Sequence, residues 1–192
     1  CCQLFSSLLL ILGQFTVLHI GRFMDVKNHE LLLRSFSRFK GQHSDARLQL
    51  LGDGELKENM MQLAGQLNIA DAVEFAGLQS SVYPWLHNAD VFILPSKFEG
   101  MPMTLIEAMG TGLPIIASDV GGIPDMLTDQ KDAVLTEPKE ECIISALELI
   151  YSDEEKRKYL GRNARDRSAV FSEKTMAKRY IDVYIDASGE EV

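Results

Sequence analysis

At 192 residues the chain has the length of one ordinary domain that buries most of its apolar surface, and 46% hydrophobic residues supply a core. A net charge of −9 excludes a general nucleic-acid binder, because phosphate backbones are held by basic patches. Three cysteines give no disulfide framework: Cys1 and Cys2 sit together at the terminus, and Cys142 lies in an apolar helical pattern. That usage fits a reducing compartment and an expected cytoplasmic location.

Residues 1–20 carry no charge, which raises the question of a membrane span. Phe15 to Ile20 is needed as a first strand, however, and the remaining Leu4 to Leu12 is too short to cross a bilayer. No basic flank precedes it, so it is also a poor signal peptide. Residues 1–14 are therefore set apart as an N-terminal segment without an assigned element, and the missing initiator methionine reads as a fragment. From residue 15 to 187 strand and helix patterns alternate, with 188–192 as a tail. Strands are predicted at 15–20, 46–51, 72–76, 90–94, 114–117 and 133–136. A helix over 28–40 carries Leu32, Phe36 and Phe39 on one face, and one over 54–67 carries Leu56, Met60, Leu63 and Leu67. Another starts at Pro102, and three more, at about 139–151, 153–168 and 172–186, close the chain. Gly110, Gly112, Gly121 and Gly122 punctuate the turns. Such alternation predicts an α/β fold, a doubly wound parallel sheet with helices on both faces, binding its ligand beyond the carboxyl ends of the strands. No Gly-x-Gly-x-x-Gly follows the first strand, which disfavours a dinucleotide dehydrogenase.

The most informative stretch runs from Pro95 to Gly110. It follows Asp90-Val91-Phe92-Ile93-Leu94, whose nearly unbroken apolar run reads as a buried parallel strand. Pro102 suits the first turn of a helix, where its missing N–H costs nothing. Strand, loop and helix N-terminus in that order make an anion site. Glu99 lies on the loop and Glu107 within the helix. Two glutamates eight positions apart mean little in a chain with 28 acidic residues, but these are embedded in Pro-Ser, Glu-Gly, Glu-Ala and Gly112-Leu113-Pro114. Their backbones lie on the order of 8–10 Å apart, too far for a retaining glycosidase pair at about 5 Å. An inverting pair survives on length but should face one cleft, not lie along one loop and helix. A phosphate site flanked by two carboxylates suits a nucleotide-sugar. Gly21-Arg22 at the end of the first strand and Lys27 one loop later add two cations for the charge that builds on a leaving diphosphate.

These pieces, taken together, resemble the retaining glycosyltransferases of the GT-B fold, in the "glycosyl transferases group 1" family. The resemblance runs through Ile20-Gly21-Arg22-Phe23 with Lys27, Leu50-Leu51-Gly52-Asp53-Gly54, Val73-Glu74-Phe75-Ala76-Gly77, Ala89-Asp90-Val91 to Glu107-Ala108-Met109, and Ala117-Ser118-Asp119-Val120-Gly121-Gly122. It spans residues 15–187. Asn28 departs from the glycine that many members carry after the lysine. The resemblance implies the C-terminal, nucleotide-sugar-binding half of a GT-B enzyme, with Gly21, Arg22, Lys27, Glu99, Gly100, Met101, Met103, Thr104 and Glu107 in the donor site. Arg22 and Lys27 would hold the diphosphate. The N–H groups of Met103 and Thr104 would meet phosphate or sugar, Glu107 the ribose, and Glu99 the transferred sugar. Arg22, Lys27 and Glu99 would then carry the chemistry, which is retaining transfer in polysaccharide synthesis to a glycan or lipid-linked acceptor.

No Asp-x-Asp is present and His19, His29, His43 and His87 show no ligand spacing, so no metal and no cofactor are expected beyond the nucleotide-sugar substrate. The loops Gly52-Asp53-Gly54 and Gly77-Leu78 would border the base, with Asp53 at least as well read as a turn residue. The N-terminal acceptor domain is missing, so the chain alone is expected to be inactive. Two other readings stay open: a donor-binding module that works with a partner subunit, and a GT-B sugar-nucleotide epimerase. Residues 153–180 hold nine Lys or Arg against five Asp or Glu. That balance reads first as a solvated helix pair and second as a weak contact with anionic lipid at the cytoplasmic membrane face.

Overall fold

The computed structural model describes residues 13–188; the expectations for residues 1–12 and 189–192 lie outside them. Six strands form one sheet: β1 (Phe15–Ile20), β2 (Ala46–Leu51), β3 (Val73–Gly77), β4 (Val91–Leu94), β5 (Ile115–Ser118) and β6 (Val134–Thr136). All neighbours are parallel and the order is β3-β2-β1-β4-β5-β6. The helices are α1 (His29–Gln42), α2 (Lys57–Gln66), α3 (Tyr83–Asn88), α4 (Met103–Thr111), α5 (Ile123–Met126), α6 (Glu140–Ser152), α7 (Glu154–Ser168) and α8 (Glu173–Ser188).

The strands read as apolar runs because both faces of the sheet are covered. In β4 the alternation is still visible in where the side chains go. Val91 and Ile93 join one core with Phe36 of α1, Met60 of α2 and Leu147 of α6. Phe92 and Leu94 join the other with Leu86 of α3, Leu105 and Met109 of α4, and Ala164 of α7. The predicted face of α1 is buried as expected, with Leu32, Phe36 and Phe39 all fully covered.

Most elements lie within one or two residues of the sequence pattern, but two helix starts and two short helices depart from it. Pro102 is not inside the first turn of α4 but caps it, with extended ψ of 120°, and its missing N–H is equally harmless there. α2 starts at Lys57 rather than 54, because the chain from Gly52 to Gly54 is tied to the neighbouring loop: Asp53 O accepts from Phe23 N and Phe23 O from Leu56 N. α3 and α5 were not anticipated. They are six and four residues long, too short for a 3.6-residue period to register, although each has a proline in its first turn, Pro84 and Pro124. No helix among the described residues is long and apolar enough to cross a membrane.

The strand order reverses between β1 and β4. A crevice therefore opens beyond their carboxyl ends, where the connections leave toward opposite faces of the sheet. Gly21 and Pro95 are the first residues past those two ends.

Candidate functional site

Two loops meet at that crevice. From β1 the chain passes Gly21-Arg22 and makes a 3-10 turn over Asp25–Lys27. Asn28 then takes the left-handed conformation, φ 58°, and launches α1. This explains the departure at this position: after glycine, asparagine is the residue best suited to a left-handed backbone. From β4 the chain runs Pro95 to Pro102 and enters α4. The loops are stitched together by Lys97 N to Val26 O at 2.8 Å and Asn28 Nδ2 to Pro95 O at 3.2 Å. An ion pair from Lys97 to Asp25 at 2.6 Å adds to them.

At the centre Lys27 Nζ donates to Glu99 Oε1 at 2.6 Å, and Ser96 Oγ donates to the same oxygen at 2.6 Å. Glu99 is only 8% exposed. A carboxylate so covered is tolerable because a cation and a hydroxyl satisfy it. Its backbone is fixed from behind: Gly122 N donates to Glu99 O at 2.9 Å. Gly121 has φ 56°, and a Cβ there would lie 2.0 Å from Glu99 O; one on Gly122 would lie 2.2 Å from Gly100 O. Both glycines are thus required by the close passage of the Glu99-Gly100 backbone.

Gly100 and Met101 form the exposed crest of the loop before α4. Leu105 and Ile106 N–H groups turn back to Pro102 O, while those of Met103 and Thr104 have no partner among the described residues. They form the positive end of α4, where a negative charge would be favoured. Glu107, one turn further on, is half-buried, and burial raises its carboxyl above the usual range. It makes no hydrogen bond or ion pair among the described residues, so it is an acceptor without a donor.

Arg22 and Lys27 are not equivalent. Lys27 is tucked onto Glu99, whereas the Arg22 side chain is 69% exposed and reaches Glu55 Oε2 at 3.4 Å. Arg22 borders an open pocket of 540 Å³ shared with Gly21, Gly52, Asp53 and Leu78. Asp53 accepts from Gly54 N at 2.9 Å, the behaviour of a turn residue. Sequence reasoning missed Ser96, although Pro-Ser was part of the motif, and it placed Gly121-Gly122 in a turn and in the family pattern without seeing that they hold the Glu99 backbone.

Behind the site lie two buried histidines. His19 Nδ1 meets Ile93 O at 2.9 Å, and its Nε2 lies 2.9 Å from where a Cβ on Gly21 would stand. His29 stacks on Phe23 at 4.1 Å and meets the His19 ring edge-on at 4.7 Å. Burial lowers His19 to about 4. Burial, then the His19 and Lys27 charges, lowers His29 to about 2. His43 pairs with Glu148 at 2.9 Å and His87 is exposed. Among the described residues no three His, Cys, Asp or Glu side chains gather as a metal site.

Residues 4–167 match the family described as "Glycosyl transferases group 1". The chain is 31% identical over 173 residues to N-acetyl-alpha-D-glucosaminyl L-malate synthase of Bacillus anthracis, covering 88% of this chain and 45% of that protein. Its fold is shared with the C-terminal domain of the glycosyl transferase group 1 family protein LpcC of Francisella tularensis. There the TM-score is 0.75 at 20% identity, with 82% and 86% of the two chains covered. Anabaena Alr3699/HepE, solved with UDP, has a TM-score of 0.84 at 18% identity over 96% of this chain and 52% of that one. The sheet and its helices are thus those of the C-terminal half of a GT-B fold. The chain spans about half or less of the length of the curated relatives it matches.

Proposed function

The chain belongs to the glycosyl transferases group 1 family, and from that premise we propose that it is the donor-binding half of a retaining glycosyltransferase. It holds a nucleotide-sugar for transfer to a glycan or lipid-linked acceptor. The observation that carries this reading is the convergence, at one end of the sheet, of three features. These are a carboxylate at Glu99 anchored through Oε1, and N–H groups at the start of α4 and a half-buried carboxylate at Glu107 that lack a partner among the described residues.

Each feature takes one part of the donor. The diphosphate lies against the α4 N-terminus, with Arg22 and Lys27 supplying positive charge and no metal ion assigned. Glu107 accepts from the ribose hydroxyls, the donors it lacks in the free protein. Glu99 accepts from hydroxyls of the transferred sugar. The bond between the anomeric carbon and the diphosphate oxygen breaks first, and both electrons leave with the diphosphate. The fixed donors stabilise that growing charge without reorganising. The acceptor oxygen attacks from the same face, and its proton passes to a phosphate oxygen, so configuration is retained. Acceptor binding is assigned to an N-terminal domain across the crevice, and transfer needs both halves.

A cytoplasmic setting at a membrane face belongs to the same proposal. Its support from the basic stretch is reduced by the structure. Arg157 donates to Ile150 O and Tyr151 O, Arg167 to Met126 O and Asp125 O, and Lys158 pairs with Glu154 and Glu155. These groups are engaged within the fold.

Calorimetry of the chain with UDP, GDP and ADP tests the donor site. UDP is the first choice because HepE was solved with it. One diphosphate should bind, and Arg22→Ala, Lys27→Ala and Glu107→Ala should each weaken it. Losing one buried acceptor costs about 1–3 kcal/mol, so Glu107→Ala should weaken binding about 5- to 150-fold. Glu99→Ala should leave the free diphosphate nearly unaffected. Absence of binding by all three, in a folded sample, refutes the assignment.

A further inference from the structure

Glu99 has two carboxylate oxygens, and the fold occupies one. Lys27 Nζ and Ser96 Oγ both donate to Oε1, each at 2.6 Å, while no hydrogen bond reaches Oε2 among the described residues. The two donors come from different elements. Lys27 arrives on the loop after β1, and Ser96 stands fully buried two residues past the end of β4. A lysine ammonium is a point charge on a flexible stem and can sit against either oxygen. A serine hydroxyl on one rotatable bond, held at the end of a strand, cannot follow the carboxylate round. Short bonds from both directions therefore fix the rotation of the carboxylate and leave Oε2 as its free acceptor.

We propose that Ser96 is a positioning residue for sugar recognition: its hydroxyl pins Oε1 of Glu99 so that Oε2 faces the hydroxyls of the donor sugar. This rests on the donor-binding reading above and adds a separation within it. The diphosphate is held by groups that Ser96 does not touch, so the serine acts on the sugar increment alone.

The test is calorimetry of the same chain with three pairs: UDP and UDP-glucose, GDP and GDP-mannose, ADP and ADP-glucose. The pair in which the sugar tightens binding most is carried forward. Ser96→Ala should leave the diphosphate within about twofold and weaken the sugar-nucleotide on the order of 5- to 10-fold. In a Glu99→Ala background it should have no further effect, since a residue that acts through another is non-additive with it. Ser96→Cys, similar in size with a weaker donor, should fall between serine and alanine. Denaturant unfolding of each variant reports whether the fold is intact. Equal weakening of diphosphate and sugar-nucleotide, or an effect that adds to Glu99→Ala, is the mark of a merely structural serine and overturns the proposal. If a diphosphate binds but no sugar tightens it, the proposal falls and the phosphate site stands. If none of the six ligands binds, the donor-site reading falls with it.

Discussion

Lowering the pH from 7 to 5 should destabilise this protein through His19 and His29. Both are almost fully buried, at 0% and 2% exposure, and both are held neutral. A histidine in the unfolded chain titrates near 6.5, whereas in the fold His19 titrates at about 4 and His29 at about 2. Below 6.5 the unfolded state therefore binds more protons than the folded state, and stability falls as pH falls. The contribution is complete above pH 6.5 and is lost progressively toward the folded values. At pH 5 the unfolded value lies about one and a half units above the solution pH. At about 1.36 kcal/mol per unit, each histidine removes about 2 kcal/mol, and the pair about 4 kcal/mol. That is a large part of the 5–15 kcal/mol typical of a folded domain, within reach of urea unfolding at the two pH values. His29→Phe, which keeps a ring on Phe23 and cannot titrate, should lose about 2 kcal/mol less than the wild type over that interval. Asp90 and Glu107 are raised by burial and act in the opposite sense, but they are common to both proteins and cancel in the comparison. Equal losses in wild type and variant would refute the buried-neutral account.

Two backbone positions test how the site is held. Gly121→Ala places a Cβ 2.0 Å from Glu99 O at φ 56°; left-handed strain alone costs about 1–2 kcal/mol, so the denaturation midpoint should drop by more than that strain implies. A neutral result would mean that the Glu99 backbone is free to move. Asn28→Gly should be tolerated better than Asn28→Ala by about 1 kcal/mol, because both lose the bond to Pro95 O but only alanine is strained at φ 58°. The reverse order in unfolding experiments would show that the left-handed backbone conformation does not select the residue at this position.

Much of the fold was legible because its signals are local. The apolar runs at 91–94 and 115–117 need both faces covered, and the period of Leu32, Phe36 and Phe39 needs one helix face covered. Neither statement requires knowing the partner. α3 and α5 were hidden because fewer than two turns carry no period, and their prolines are ambiguous out of context. The loop between Pro95 and Pro102 marked itself through proline, serine, glutamate and glycine at short range.

Residue order was enough to specify a parallel α/β sheet with a loop carboxylate, a helix N-terminus and two cations at its carboxyl edge. These follow from order along the chain and from which side chains can be buried. How those groups pair with one another was settled by folding. Lys27 meets Glu99 across 72 positions of chain, Arg22 turns instead to Glu55, and Gly122 reaches back to grip Glu99 O. His19 and His29 become neutral because the packing of β1 against α1 removes water from both. Hydrogen bonds and desolvation depend on distances of a few ångströms between segments remote in sequence, and residue order does not contain those distances until the chain has folded.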